Sequence, residues 1–165
     1  LRSGAYADLA IFDRIPNPNP PPPPENGPPS VEAVPTGLAY SDGTVLVSLL
    51  SGFPFLPSVS RIKAVDPVTG AQADFLTGLR TSIDILPVRE GNDTDYLALE
   101  NNFAPVPAFP SPGASIKRFE VPGGAGVAVH GCTMDRPTSM SYDTRSDTMY
   151  VTELLLGTVV KVPLD

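Results

Sequence analysis

Three observations predict an all-β fold built of repeated four-stranded antiparallel meanders. The segment Gly4-Ala5-Tyr6-Ala7-Asp8 returns as Gly70-Ala71-Gln72-Ala73-Asp74. A larger block of strand-like sequence recurs three times along the 165 residues, and recurrence at this spacing marks stacked units. Strands such as Thr44 to Leu50 carry apolar residues on both faces instead of alternating, as expected of sheets covered on both sides. Together these form the pattern of β-propeller blades. At roughly 40 to 50 residues per blade, the chain holds about three blades' worth of strands and reads as part of a six-bladed ring.

Residues 1–15 read as the last strand of a preceding blade, centred on Ala7 to Phe12. Residues 16–33 follow as a Pro-rich loop. Pro16, Pro18, Pro20 to Pro24, Pro28 and Pro29 remove backbone donors and favour a polyproline II course, so no sheet ladder is expected to continue through them. The plain reading is a stiff spacer between one blade's outer strand and the next blade's inner strand. The sharper readings are a polyproline II ligand for a partner domain and a hydroxyproline glycosylation site.

Residues 34–79 read as a blade, with Pro35 to Ala39, Val45 to Leu49 and Arg61 to Asp66 as its first three strands. Ser41-Asp42-Gly43 and Asp66 to Gly70 mark its turns. Residues 80–136 repeat the plan with a long loop, using Thr81 to Ile85, Tyr96 to Glu100 and Ser115 to Glu120. Residues 137–165 form an incomplete blade from Pro137 to Ser141, Met149 to Glu153 and Thr158 to Pro163. Flanking turn residues and β-branched content favour strands over a buried helix of similar composition. A chain that opens on a lone outer strand and closes one outer strand short reads as an internal stretch of a longer protein. Exchange of the first strand between copies is the alternative, since it would cover exposed edges.

Composition narrows the function classes. Eleven Lys and Arg against 18 Asp and Glu give a net charge of −7, spread evenly with no basic stripe, which argues against a nucleic-acid partner. No apolar run approaches the roughly 18 to 20 residues that span a bilayer, and the amino terminus does not resemble a signal peptide. One cysteine, Cys132, and one histidine, His130, allow neither an internal disulfide nor zinc-type spacing.

Strand order places the start of each inner strand and the end of each second strand at one rim. Thr36, Thr81 and Thr138 are therefore expected to share a face with Leu49, Glu100 and Glu153. An oxygen-rich rim of this kind suits Ca²⁺ or the hydroxyls of a sugar-like ligand, with Asn101 and Asn102 as amide donors and acceptors. Glu100 and Glu153 are the candidate metal ligands. Two carboxylates do not define a metal site, and the plain reading is a hydrogen-bonded residue at each blade end. The connections Ser51 to Pro57 and Asn101 to Gly113 share the rim and carry Phe53, Phe55, Phe103 and Phe109. Stiff aromatic loops on a scaffold suit a binding surface, and the plain reading is a lid over the blade edges.

His130 with Glu153 would make a proton-transfer pair, although a lone His without partner spacing is more often structural. Cys132 reads as a packed small residue, since no setting that lowers its pKa is evident. Asn92-Asp93-Thr94 is an N-glycosylation sequon in a polar turn, compatible with a secreted protein.

Val34-Pro35-Thr36-Gly37-Leu38, Leu50-Ser51-Gly52-Phe53-Pro54-Phe55 and Tyr96-Leu97-Ala98-Leu99-Glu100 together resemble the ScyD/ScyE family, named for proteins of a cyanobacterial scytonemin gene cluster. The Gly-Phe-Pro-Phe loop is the most specific element. The resemblance implies an NHL-like β-propeller, commonly exported, with no established activity. The family usually carries Glu where this chain has Leu49. The expectation is thus a noncatalytic module, secreted, periplasmic or extracellular. It would bind a small molecule, carbohydrate or protein through its top-face loops, or self-assemble through edge strands. The alternative is a propeller-type lyase or lactonase using a top-face metal and His130.

Overall fold

A computed structural model describes residues 4, 6–18, 28–101, 114–129 and 134–163. These residues form no helix and fold into four antiparallel sheets. In chain order the strands are β1 (Ile15–Pro16), β2 (Ser30–Val31), β3 (Ala33–Ser41), β4 (Thr44–Ser51), β5 (Ser60–Val65) and β6 (Gln72–Leu79). Then come β7 (Ser82–Glu90), β8 (Asp93–Glu100), β9 (Ser115–Phe119), β10 (Val127–Ala128), β11 (Pro137–Asp143), β12 (Thr148–Glu153) and β13 (Thr158–Pro163). β1 and β2 make a small ladder of their own. β3 to β6 and β7 to β10 make two four-stranded meanders, and β11 to β13 a three-stranded one.

The sheets pack face to face through alternate residues of their second strands. On β4, Leu46 joins a cluster with Ile62, Leu76 and Leu79 of the first meander and Ile85, Ala98 and Phe119 of the second. On β8, Leu97 and Leu99 point the other way and meet Met140, Met149 and Val151 of the third. Both faces of these strands are thus covered, which is why their sequences do not alternate. Each such side chain withdrawn from water contributes about 1.5–3 kcal/mol.

The remaining face of the first meander is covered by the amino-terminal segment. Ala10 and Phe12 pack on Val47, Leu49 and Val65. Residues 6–14 do this without joining a strand, contrary to the expectation for Ala7 to Phe12. The segment has no ladder partner among the described residues, so side chains hold it instead. Gln72 Nε2 donates to Ile11 O at 3.0 Å. The Pro-rich stretch also departs from expectation at its ends. Ile15 pairs with Val31 and Pro16 with Ser30, and beyond them Asn17 N donates to Pro29 O at 2.8 Å. The ladder survives Pro16 because the next donor belongs to Asn17. Residues 19–27 lie outside the described set.

Each inner strand carries a β-bulge at or near its start: between Pro35 and Gly37, between Ser82 and Asp84, and between Pro137 and Ser139. The residues following the bulge form the seam between sheets. A Cβ on Gly37 would lie 2.6 Å from Asp84 Cα and 2.7 Å from Ile83 O, so only glycine lets β3 approach β7 here. Asp84 in turn reaches β11, accepting from Met140 N at 2.9 Å and Ser139 Oγ at 3.2 Å. Ser48 Oγ and Ser82 Oγ, both buried, are 2.6 Å apart and add a further link between the first two meanders.

Burial pushes the Asp84 carboxyl above its ordinary value of 3.8, against the hydrogen bonds from Met140, Ile85 and Ser139. A raised native pKa means that the folded state binds more protons between 3.8 and the native value. The contribution of Asp84 to stability is therefore complete below 3.8 and declines as pH rises through the native value. Urea unfolding from pH 3 to 7 checks this, with Asp84→Asn as the non-titrating reference. The wild type should lose stability relative to the variant as pH rises. Gly37→Ala should lower stability by about 1–3 kcal/mol, since the added Cβ meets the bonded Asp84 carboxylate and backbone atoms of Ile83 and Asp84. A lowered urea midpoint would report it.

Candidate functional site

The rim where inner strands begin and second strands end carries most of the candidate residues. The ladders make Glu100 and Glu153 equivalent: each pairs with the residue just before the bulge, Ser82 in one meander and Pro137 in the next. Leu49, opposite Pro35, is their counterpart in the first meander. Both carboxylates are turned inward. Glu100 accepts from Arg80 N at 2.7 Å, and Glu153 accepts from Asp135 N at 2.7 Å. Each of these N–H groups lies two residues before the Ser82 or Pro137 that faces the glutamate, so the side chain latches the incoming connection onto the sheet.

The other partners differ. Glu100 also takes Ser115 Oγ at 3.2 Å and pairs with Lys117 Nζ at 3.0 Å. Glu153 takes Thr158 Oγ1 at 2.7 Å. In the first meander Ala33 holds the place of Arg80 and Asp135, and there the ladder itself runs on through Val34↔Leu50 and Ala33↔Ser51. With backbone doing the work, no glutamate is needed and Leu49 is buried instead.

The threonines divide. Thr36 and Thr138 are the bulge residues of β3 and β11, and the register matches them to Ile83, not to Thr81. Thr36 Oγ1 reaches Ser82 O at 3.3 Å, and Thr138 Oγ1 lies 2.9 Å from Thr152 Oγ1. Thr81 is buried and its hydroxyl has no hydrogen-bond partner among the described residues. Asn101 is buried too. Its N donates to Thr81 O at 2.9 Å and its Nδ2 to Pro137 O at 3.3 Å, tying the second meander to the third. Asn102, Phe103, Phe109, His130 and Cys132 lie outside the described residues. Among the described residues no three His, Cys, Asp or Glu side chains come together as a metal-holding group.

The connection from β4 to β5 is a tight aromatic turn. Phe55 N donates to Gly52 O at 2.9 Å, the Phe53–Pro54 peptide is cis, and Phe55 has φ of 60°. The rings of Phe53 and Phe55 meet edge to face at 6.1 Å, and Phe53 remains 68% exposed. The matching turn of the third meander, between β12 and β13, exposes Leu154, Leu155 and Leu156 at 61%, 57% and 62%. The sequence analysis does not single out these leucines. Their signal was three consecutive apolar residues where a turn is ordinarily polar.

Asn92 is exposed in the β7–β8 turn, at the opposite rim from the aromatic turn. No helix of the described residues is long and apolar enough to cross a membrane. Comparison with protein-family models, curated proteins and solved structures finds no match for this chain.

The two glutamates should respond differently to loss of charge. Glu100→Gln removes the charged hydrogen bond to the part-exposed Lys117, a loss of about 2 kcal/mol. Glu153→Gln keeps one acceptor for Asp135 N and strands no cation, a loss of about 1 kcal/mol. Urea denaturation of the two variants side by side measures the difference.

Proposed function

We propose that this chain is part of a noncatalytic, exported β-propeller of the ScyD/ScyE type, and that its loop rim engages a protein partner. Three features support the propeller reading. Successive meanders follow one another in chain order, their first strands adjoin through the Gly37, Asp84 and Ser139 positions, and they cover each other face to face. The Gly-Phe-Pro-Phe loop and the other motifs supply the family reading. The sequon at the exposed Asn92 turn is compatible with export.

The observation that carries the functional reading is the exposed apolar rim. Equivalent second-to-third-strand turns present Phe53 in one meander and Leu154 to Leu156 in another. Large apolar groups held out on tight turns mark an interaction surface. The glutamates beside them are absorbed in latching the connections, so they support the scaffold and not a turnover reaction.

Selection of a phage-displayed peptide library on the immobilised protein, together with sedimentation velocity of the free protein, tests this. At least one selected peptide or a self-association is expected to weaken about tenfold in Phe53→Ser and in Leu155→Ser, as for loss of an apolar anchor. The thermal midpoint should not change, because both side chains are exposed. Binding that is indifferent to both variants would overturn the reading. So would a lactonase or lyase turnover abolished by Glu100→Gln in protein that remains folded.

A further inference from the structure

The register that aligns Leu49 with Glu100 also aligns the third strands: Arg61 with Ser115, and Lys63 with Lys117. In the second meander one carboxylate, Glu100, satisfies both Ser115 and Lys117. In the first meander that carboxylate is replaced by Leu49, while the hydroxyl has become a guanidinium. Two cations therefore stand where the second meander has one cation and one anion.

Asp74 on β6 answers only part of this. Lys63 Nζ lies 2.7 Å from Asp74 Oδ1, and that pairing, with a smaller contribution from Arg61, holds the Asp74 carboxyl below its ordinary range. Arg61 is poorly served: its Nη1 is 3.6 Å from Asp74 Oδ2 and its Nε is 3.5 Å from Val59 O. A guanidinium carries five N–H donors, and a contact at 3.6 Å is not a hydrogen bond. Yet the side chain is only 26% exposed, so bulk water does not fully replace the partners it lacks among the described residues.

Arg61 and Lys63 line a cavity of about 260 Å³ between the first meander and the chain from Phe12 to Pro16. Leu49, Phe12 and Ile15 give it an apolar side. Arg14 stands at its edge, held by Glu32 Oε1 at 2.5 Å and Ser30 O at 2.9 Å, and Asp13 is the other charged group of the lining. We infer that this cavity is a binding site for a small organic carboxylate with a compact apolar body. The carboxylate takes the place of the missing glutamate, bonded by Arg61 in the planar fork that suits it. The body rests on Leu49. The volume lies near the lower end of ligand pockets, which run from about 300 Å³ upward, and so limits the ligand to about one ring.

Benzoate is the probe, with glucuronate and inorganic phosphate as comparisons, followed by NMR of the Arg61 Nε–H and the Leu49 methyls. Saturable shifts at millimolar benzoate are expected, with glucuronate and phosphate weaker. Arg61→Gln should weaken benzoate by about tenfold or more, as for loss of a charged hydrogen bond. Leu49→Glu should abolish binding by restoring an internal carboxylate. Asp13→Asn, an exposed change that leaves the core intact, should tighten binding severalfold by removing a competing anion. The absence of saturable benzoate shifts would overturn the site, as would shifts that persist in Arg61→Gln or are indifferent to Asp13→Asn. Stronger binding of phosphate than of benzoate would overturn the ligand class. None of this depends on the partner-binding rim.

Discussion

The close approach of the inner strands is the constraint on which the rest of the structure depends. Three consecutive sheets meet at equivalent bulge-following positions occupied by Gly37, Asp84 and Ser139. Each of the three has a different task. Glycine removes the Cβ that would hold β3 away from β7, aspartate spans the next gap, and serine offers the hydroxyl that the aspartate accepts. Because the carboxylate also takes Met140 N, the seam ties the Asp84 side chain to the backbone of β11 and not merely to another side chain. Burial makes this link strong and selective: an unmade bond to a buried donor costs the full desolvation of that donor.

The seam leaves a second problem at the rim, where each connection arrives with an N–H to satisfy. Two meanders solve it with a glutamate, and the first solves it by extending the ladder. This divergence has chemical consequences. Where the glutamate remains, its oxygens are engaged by a backbone N–H and a hydroxyl, joined at Glu100 by an ammonium. Where it is gone, the third strand retains the cation at Lys63 and adds another at Arg61. Repetition thus builds the scaffold, and the places where it lapses are the places with unspent chemistry.

Much of the scaffold was legible in the residues. The second and third strands of every meander stand where two-faced apolar runs between Gly, Pro and Asp turns place them, because a doubly covered strand leaves that signature whatever its neighbours. Relations between strands were less legible. A bulge shifts alignment without changing composition, so Thr81 read as the counterpart of Thr36 although Ile83 holds that position. Ala7 to Phe12 has the pattern of a strand, but a strand also needs a ladder, and the segment lies instead across the first meander's face. Glu100 and Glu153 were correctly matched by spacing. Their inward orientation was not readable, since it follows from N–H groups about 18–20 residues earlier in the chain. Arg61 drew no notice because an arginine in an amphipathic strand is ordinary until its partners are counted.

The small ladder at the base of the Pro-rich stretch mechanically separates that stretch from the sheets. Ile15 and Val31 pack with Val59 in a cluster of their own, and Asn17 is bonded to both Pro28 and Pro29. The chain leaves and re-enters the body at a single clasp, so the distance between its two ends is set independently of what runs between them. The clasp therefore uncouples the register of the sheets beneath it from the length of the connection it closes.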